Sequence, residues 1–122
     1  MARPYRILIA VDEPFLRDFL GHLIGQCYPA AAVCMVVDGL VALGEYGQDG
    51  ADLLIVSHGL RGMDGATLIR AVRARQALVP ILAMSGDPTN EAESRRAGAN
   101  VFLSGPFTIA AFRQTVYRLL PC

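Results

Sequence analysis

The stretch DLLIVSHGLRGMDG, Asp52 to Gly65, decides how this chain folds. Leu53-Leu54-Ile55-Val56 is a continuous apolar, β-prone run, the pattern of a strand buried on both faces. Ser57 to Met63 follows as a loop holding two glycines. Asp64 then stands where a helix N-cap belongs, ahead of Leu68, Ile69 and Val72 on one apolar helical face. Strand, short loop and capped helix make one βα unit, and the same order recurs in both directions along the chain.

Upstream, Ile7 to Val11 is a second apolar run of strand length, and Pro14 suits the first turn of a helix. Leu16, Phe19, Leu20, Leu23, Ile24 and Cys27 share one face of that helix, and Tyr28-Pro29 ends it. Ala32 to Val37 is another strand, and Asp38 caps a short helix carrying Leu40, Leu43 and Tyr46. Downstream, Pro80 precedes a strand over Ile81 to Met84. Asp87-Pro88 opens a polar helix running to about Ala97, closed by Gly98. Val101 to Leu103 is the fifth strand, and Thr108 caps a last helix with Ile109, Phe112 and Val116 facing in.

Five strands alternating with five helices predict an α/β fold with parallel βαβ units and right-handed crossovers. The expected architecture is a flavodoxin-like (βα)5 three-layer sandwich with a five-stranded parallel sheet in the order 2-1-3-4-5, one domain over residues 1–122. Ligands bind such sheets at the carboxyl ends of the strands. The residues there are Asp12, Glu13, Ser57, His58, Ser85, Gly86, Ser104 and Gly105.

Composition narrows the function. The chain is 53% hydrophobic and 18% charged with no net charge, which excludes disorder and leaves no basic excess for binding nucleic acid through bulk charge. All eleven basic residues are arginine. Cys27, Cys34 and Cys122 are odd in number and fall in no metal spacing, so they read as free thiols in a reducing cytoplasm. No apolar run approaches the ~18 residues of a membrane span.

Four segments carry a family resemblance: ILIAVDEPFLR (Ile7–Arg17), DLLIVSHGLRGMDG (Asp52–Gly65), PILAMSG (Pro80–Gly86) and AGANVFLSGPF (Ala97–Phe107). In this order and on these strand ends, they make the chain resemble a receiver domain, the phosphoacceptor module of bacterial two-component response regulators. The resemblance implies a set of groups: two acids after strand 1 that help hold Mg²⁺, an aspartate acceptor after strand 3, a hydroxyl after strand 4 and a lysine after strand 5. Phosphoryl transfer to a carboxylate needs the metal and the cation to neutralise gathered negative charge.

The chain departs from that set. The strand 1 pair falls on Val11 and Asp12, with Glu13 just outside it. The acceptor position is Ser57, and Arg61 stands where a proline is usual. Ser85 keeps the hydroxyl, and the lysine position is Gly105 before Pro106. With no lysine in the chain, no neighbour replaces it. Asp12 is at most a weak cation ligand, and no metal or other cofactor is expected. Asp12 and Glu13 instead read as an acidic remnant capping the loop into helix 1, free to pair with Arg61 or another arginine.

Other residues read as structure. Adjacent strand residues point to opposite faces, so His58 is badly placed to act as a base for Ser57. Arg70, Arg73 and Arg75 read as a solvated stripe, His22 as exposed, Cys34 as a small core hydrophobe, and Arg95-Arg96 with Glu91 and Glu93 as i, i+4 pairs. Phe102 holds the aromatic position that the family links to switching, on a face made by helix 4, strand 5 and helix 5, to which Arg95, Arg113 and Tyr117 are assigned. The expectation is a phosphorylation-independent bacterial receiver without catalytic turnover, cytoplasmic, with no direct contact to nucleic acid or membrane. Its partner would be a signalling protein or a second copy, docked through that face. The alternative is a pocket that switches on a small ligand or cation.

Overall fold

The computed structural model describes residues 3–121; Cys122 and the first two residues lie outside the described part. The elements are β1 (Arg6–Ala10), α1 (Pro14–Cys27), β2 (Ala32–Val36), α2 (Gly39–Asp49), β3 (Leu53–Ser57), α3 (Gly65–Arg73), β4 (Ile81–Ser85), α4 (Glu91–Ala97), β5 (Val101–Ser104) and α5 (Ile109–Leu119). The strands are all parallel in the order β2-β1-β3-β4-β5, the predicted topology.

The period-2 alternation of each strand splits its side chains between two cores. Ile7, Ile9, Leu53, Ile55, Leu82 and Met84 pack beneath α1 and α5 with Leu20, Ile24, Phe112 and Val116. Leu8, Ala10, Leu54, Val56, Ala83 and Phe102 pack beneath α2, α3 and α4 with Ala42, Leu68, Ile69 and Val72. Burial on both faces explains why the central strands read as unbroken apolar runs.

The helix starts follow the expected chemistry. Asp38 accepts from Leu40 and Val41 N–H, Asp64 from Thr67 N–H and Thr108 from Ala111 N–H. Gly98 closes α4 at φ 123°, a value that favours glycine. Two glycines of the quoted stretch are held by close approach. Gly62, at φ 73°, faces the Asp38 carboxylate, where a Cβ would come within 2.7 Å. Gly65 lets the first turn of α3 lie against the end of β3, where a Cβ would collide with the Ser57 carbonyl oxygen.

Three expectations are corrected. The segment from Asp87 does not enter an α-helix directly; Pro88–Asn90 form a 3-10 turn, and α4 starts at Glu91. Asp87 caps that turn by accepting from Thr89 N–H at 2.9 Å, which uses up the first turn of the expected helix. Strand limits move by about one residue, so Ser57 and Ser85 lie within their strands and Val11 and Val37 outside theirs.

Arg73 is the third. It does not join a solvated stripe but turns in at the amino ends of β4 and β5. Its guanidinium donates to the carbonyls of Gly98 (3.0 Å), Ala77 (2.9 Å) and Val79 (2.8 Å) and to Asn100 Oδ1 (2.9 Å). Helix periodicity aims the side chain outward, but two connections, residues 77–79 ahead of β4 and 98–100 ahead of β5, present acceptors at that spot. A planar guanidinium can serve several of them at once.

Candidate functional site

Strands of one sheet that all point the same way bring five loops to one edge, and here four of them, those after β1, β3, β4 and β5, line a cavity of about 590 Å³. Ser57, Ser85 and Gly105 meet in its wall, each from a different strand end. Leu16 of α1, Leu103 of β5 and Phe107 ahead of α5 make it largely apolar.

Glu13 lines the cavity, but both of its carboxylate oxygens face the helix it caps. Oε1 accepts from Phe15 N–H (3.1 Å) and Oε2 from Leu16 N–H (2.7 Å). Asp12 is half-buried and makes no ion pair among the described residues. The arginine that reaches this loop is Arg17, not Arg61. Its Nη1 donates to the backbone carbonyls of Val11 (3.1 Å) and Asp12 (3.3 Å), so it serves the backbone rather than a carboxylate. Val11, at the position of the missing acid, is fully buried among the apolar side chains beneath α1 and α5.

Ser85 is fixed as an acceptor. Its Oγ receives hydrogen bonds from Asp87 N–H (3.0 Å) and Asn90 Nδ2 (2.8 Å). Ser57 makes no side-chain hydrogen bond among the described residues. His58 also lines the cavity, because it lies past the strand end, where the alternation of sides no longer applies. Its Nε2 lies 3.8 Å from Glu93 Oε1 of α4, its Nδ1 is buried without a partner, and it makes no hydrogen bond to Ser57.

Two carboxyls of these loops, Asp87 in the cavity wall and the α3 cap Asp64, favour their charged forms. Asp87 lies below its ordinary pKa because the Thr89 hydroxyl and N–H donate to it, and Asp64 because the Thr67 N–H does, with His58 a smaller influence on both. Magnesium, which receiver domains are expected to use, does not suit these donors. Glu13 is engaged in capping, Ser57 is neutral, and no three His, Cys, Asp or Glu side chains gather among the described residues.

Each residue assigned to a switching face packs or bonds within the chain. Phe102 is buried, 9% exposed, in the core beneath α2, α3 and α4, and Arg95 lies on α4 in an ion pair with Glu91 at 2.7 Å. Arg113 turns instead toward α1, donating to Gln26 Oε1 at 3.0 Å. Tyr117 packs edge-on against Tyr28, ring centres 5.8 Å apart. The sequence reading did not single out Asn90 or Phe107 for this site. The only signal for Asn90 was an amide-bearing residue five positions after a strand-end serine.

The chain matches the response regulator receiver domain over residues 7–117. It is 30% identical to the two-component response regulator PhoP of Pseudomonas aeruginosa over 118 residues, covering 94% of this chain and 51% of that protein. The chain therefore spans about half the length of PhoP. It is 29% identical to the chemotaxis protein CheY of Pseudomonas aeruginosa, covering 93% of this chain and 94% of CheY. The receiver domain of a sensor histidine kinase from Pseudomonas aeruginosa PAO1, solved with magnesium coordinated in its active-site cleft, superposes with a TM-score of 0.84. That similarity covers 98% of this chain and 99% of the other at 23% identity. Among the described residues, no helix is long and apolar enough to cross a membrane.

Proposed function

Because the chain belongs to the response regulator receiver domain family, we propose that it serves signal transduction as an interaction module whose state does not depend on phosphorylation. The observation that carries this reading is the pair of strand-end residues Ser57 and Gly105. One supplies a neutral hydroxyl where a carboxylate would accept a phosphoryl group, and the other supplies no cation to pair with it. A phosphoryl group brought here would meet Glu13 and Asp87 at the rim and no arginine in the wall. Its charge would stay uncompensated in a partly desolvated site. No turnover follows from such a pocket.

Phe102 is packed into the core, so its ring forms little of the exposed side of α4, β5 and α5. The partner is a signalling protein or a second copy of this chain, meeting the exposed side of α4, β5 and α5. The test is incubation with labelled acetyl phosphate and Mg²⁺. The expected result is no label on the protein, and Mg²⁺-dependent labelling in the pocket overturns the reading.

A further inference from the structure

The cavity has the size and walls of a small-molecule site, and its polar groups specify what enters. Its volume of about 590 Å³ lies within the ~300–1,000 Å³ typical of such sites. Three of its wall positions are glycines, Gly59, Gly86 and Gly105, and a Cβ added at any of them would meet no atom within 4 Å. The space is therefore open where side chains would otherwise fill it.

Two hydroxyls remain available. Ser85 Oγ already accepts from Asp87 and Asn90, so its own proton is what is left to offer, and no acceptor for it exists among the described residues. Ser57 has no side-chain partner. Both are half-buried and have a proton to donate, and a ligand acceptor that displaces water from them completes hydrogen bonds worth about 0.5–1.5 kcal/mol each. Charge excludes the ions. No lysine or arginine lines the cavity, its one basic side chain, His58, already faces Glu93 of α4, and two carboxylates stand at its rim, so an anion finds no free cation. Those carboxylates are hydrogen-bonded to their own helix and turn starts, so a cation finds no carboxylate that is not already engaged. The walls are apolar, supplied by Leu16, Met84, Leu103 and Phe107.

From this inventory we infer that the cavity is a binding site for an uncharged small molecule with an apolar body and a carbonyl-type acceptor. The acceptor takes the hydroxyl protons of Ser57 and Ser85, and the body lies against the apolar walls. The inference rests on the pocket not being a phosphoryl acceptor, and it adds the chemical class of what the pocket holds instead.

The experiment titrates the ¹⁵N-labelled chain with three molecules of one shape: benzamide, benzoate and benzamidinium. Benzamide should shift the amide signals of Ser57, Gly86 and Gly105 saturably and bind about tenfold tighter than either ion. Ser57→Ala removes a hydroxyl that holds nothing in the free protein and should weaken benzamide about fivefold. Gly105→Leu fills the cavity and should abolish the shifts while leaving the rest of the spectrum in place. The inference is overturned if benzamide shifts no pocket amide at millimolar concentration, if benzoate or benzamidinium binds as tightly, or if either variant binds benzamide like the parent. A parallel sample with acetyl phosphate and Mg²⁺ separates the two readings. Labelling there removes the underlying reading, whereas no labelling and no benzamide binding removes this one alone.

Discussion

The two ends of the sheet treat their polar groups in opposite ways. At the amino ends of the strands, Arg73 ties four acceptors together, and Asn100 Oδ1 accepts from Ile81 N–H as well. Asp52 binds Arg3 at 2.9 Å and Arg6 N–H at 2.8 Å, and the Tyr28 hydroxyl reaches the carbonyl oxygens of Val116 and Leu120 at the end of α5. At the carboxyl ends, among the described residues, the Ser57 hydroxyl has no partner, Ser85 keeps an unused proton and His58 Nδ1 is buried alone. Apart from Arg6 Nε, which is also buried without a partner among the described residues, polar groups at the first end link elements and hold the fold. At the second they face a cavity, which is where a fold can spare groups for binding.

That contrast can be broken by mutation. Arg73→Ala should cost the most, about 2–4 kcal/mol in urea unfolding, because it strands several half-buried acceptors at once. Arg73→Lys should recover less than half, since an ammonium cannot span the same fork. A loss under about 0.5 kcal/mol would remove the distinction between the two ends.

A smaller effect is expected at Asp64, which caps α3 after the loop that follows β3. Asp64→Ala should lower stability at pH 7 by about 1 kcal/mol. The Thr67 N–H and hydroxyl hold the Asp64 carboxyl below its ordinary pKa in the folded state. Its contribution is therefore complete above the unfolded value of about 4 and fades as pH falls through the lower folded value. Unfolding curves of parent and variant should converge in acid; a gap that persists at low pH would show that the cap acts without its charge.

The smallest effect belongs to Gly105→Leu. Its side chain enters open space, so stability should change by no more than about 0.5 kcal/mol in the same unfolding assay. A large loss would mean that the fold needs the cavity empty, and the contrast would need redrawing.

Much of this was legible in the chain, and the reason is locality. The strands around Leu8, Leu54 and Leu82 announce themselves by unbroken apolar runs, because each is covered on both faces. Asp38, Asp64 and Thr108 announce the helix starts, because a cap and the N–H it satisfies lie two or three residues apart. Ser57 and Gly105 could be placed at the same edge of the sheet, on the ends of β3 and β5 that flank β4, because strand order follows from the alternation of elements. Arg73 could not be read this way, since its acceptors come from segments up to 27 residues distant. The contacts of Arg113 and Tyr117 were illegible for the same reason; their partners on or just after α1 lie 87 and 89 positions away, and helix periodicity carries no record of them.

The sequence by itself determined the topology, the two cores and which residue types stand at the strand ends, because these depend on periodicity, capping and the absence of lysine. The tertiary structure decided what those residues do. It turned Glu13 onto its own helix, buried Val11, sent Arg17 to backbone carbonyls, and left two hydroxyls facing an apolar space. Each outcome depends on which unsatisfied group lies within about 3 Å, and chain order does not encode that distance.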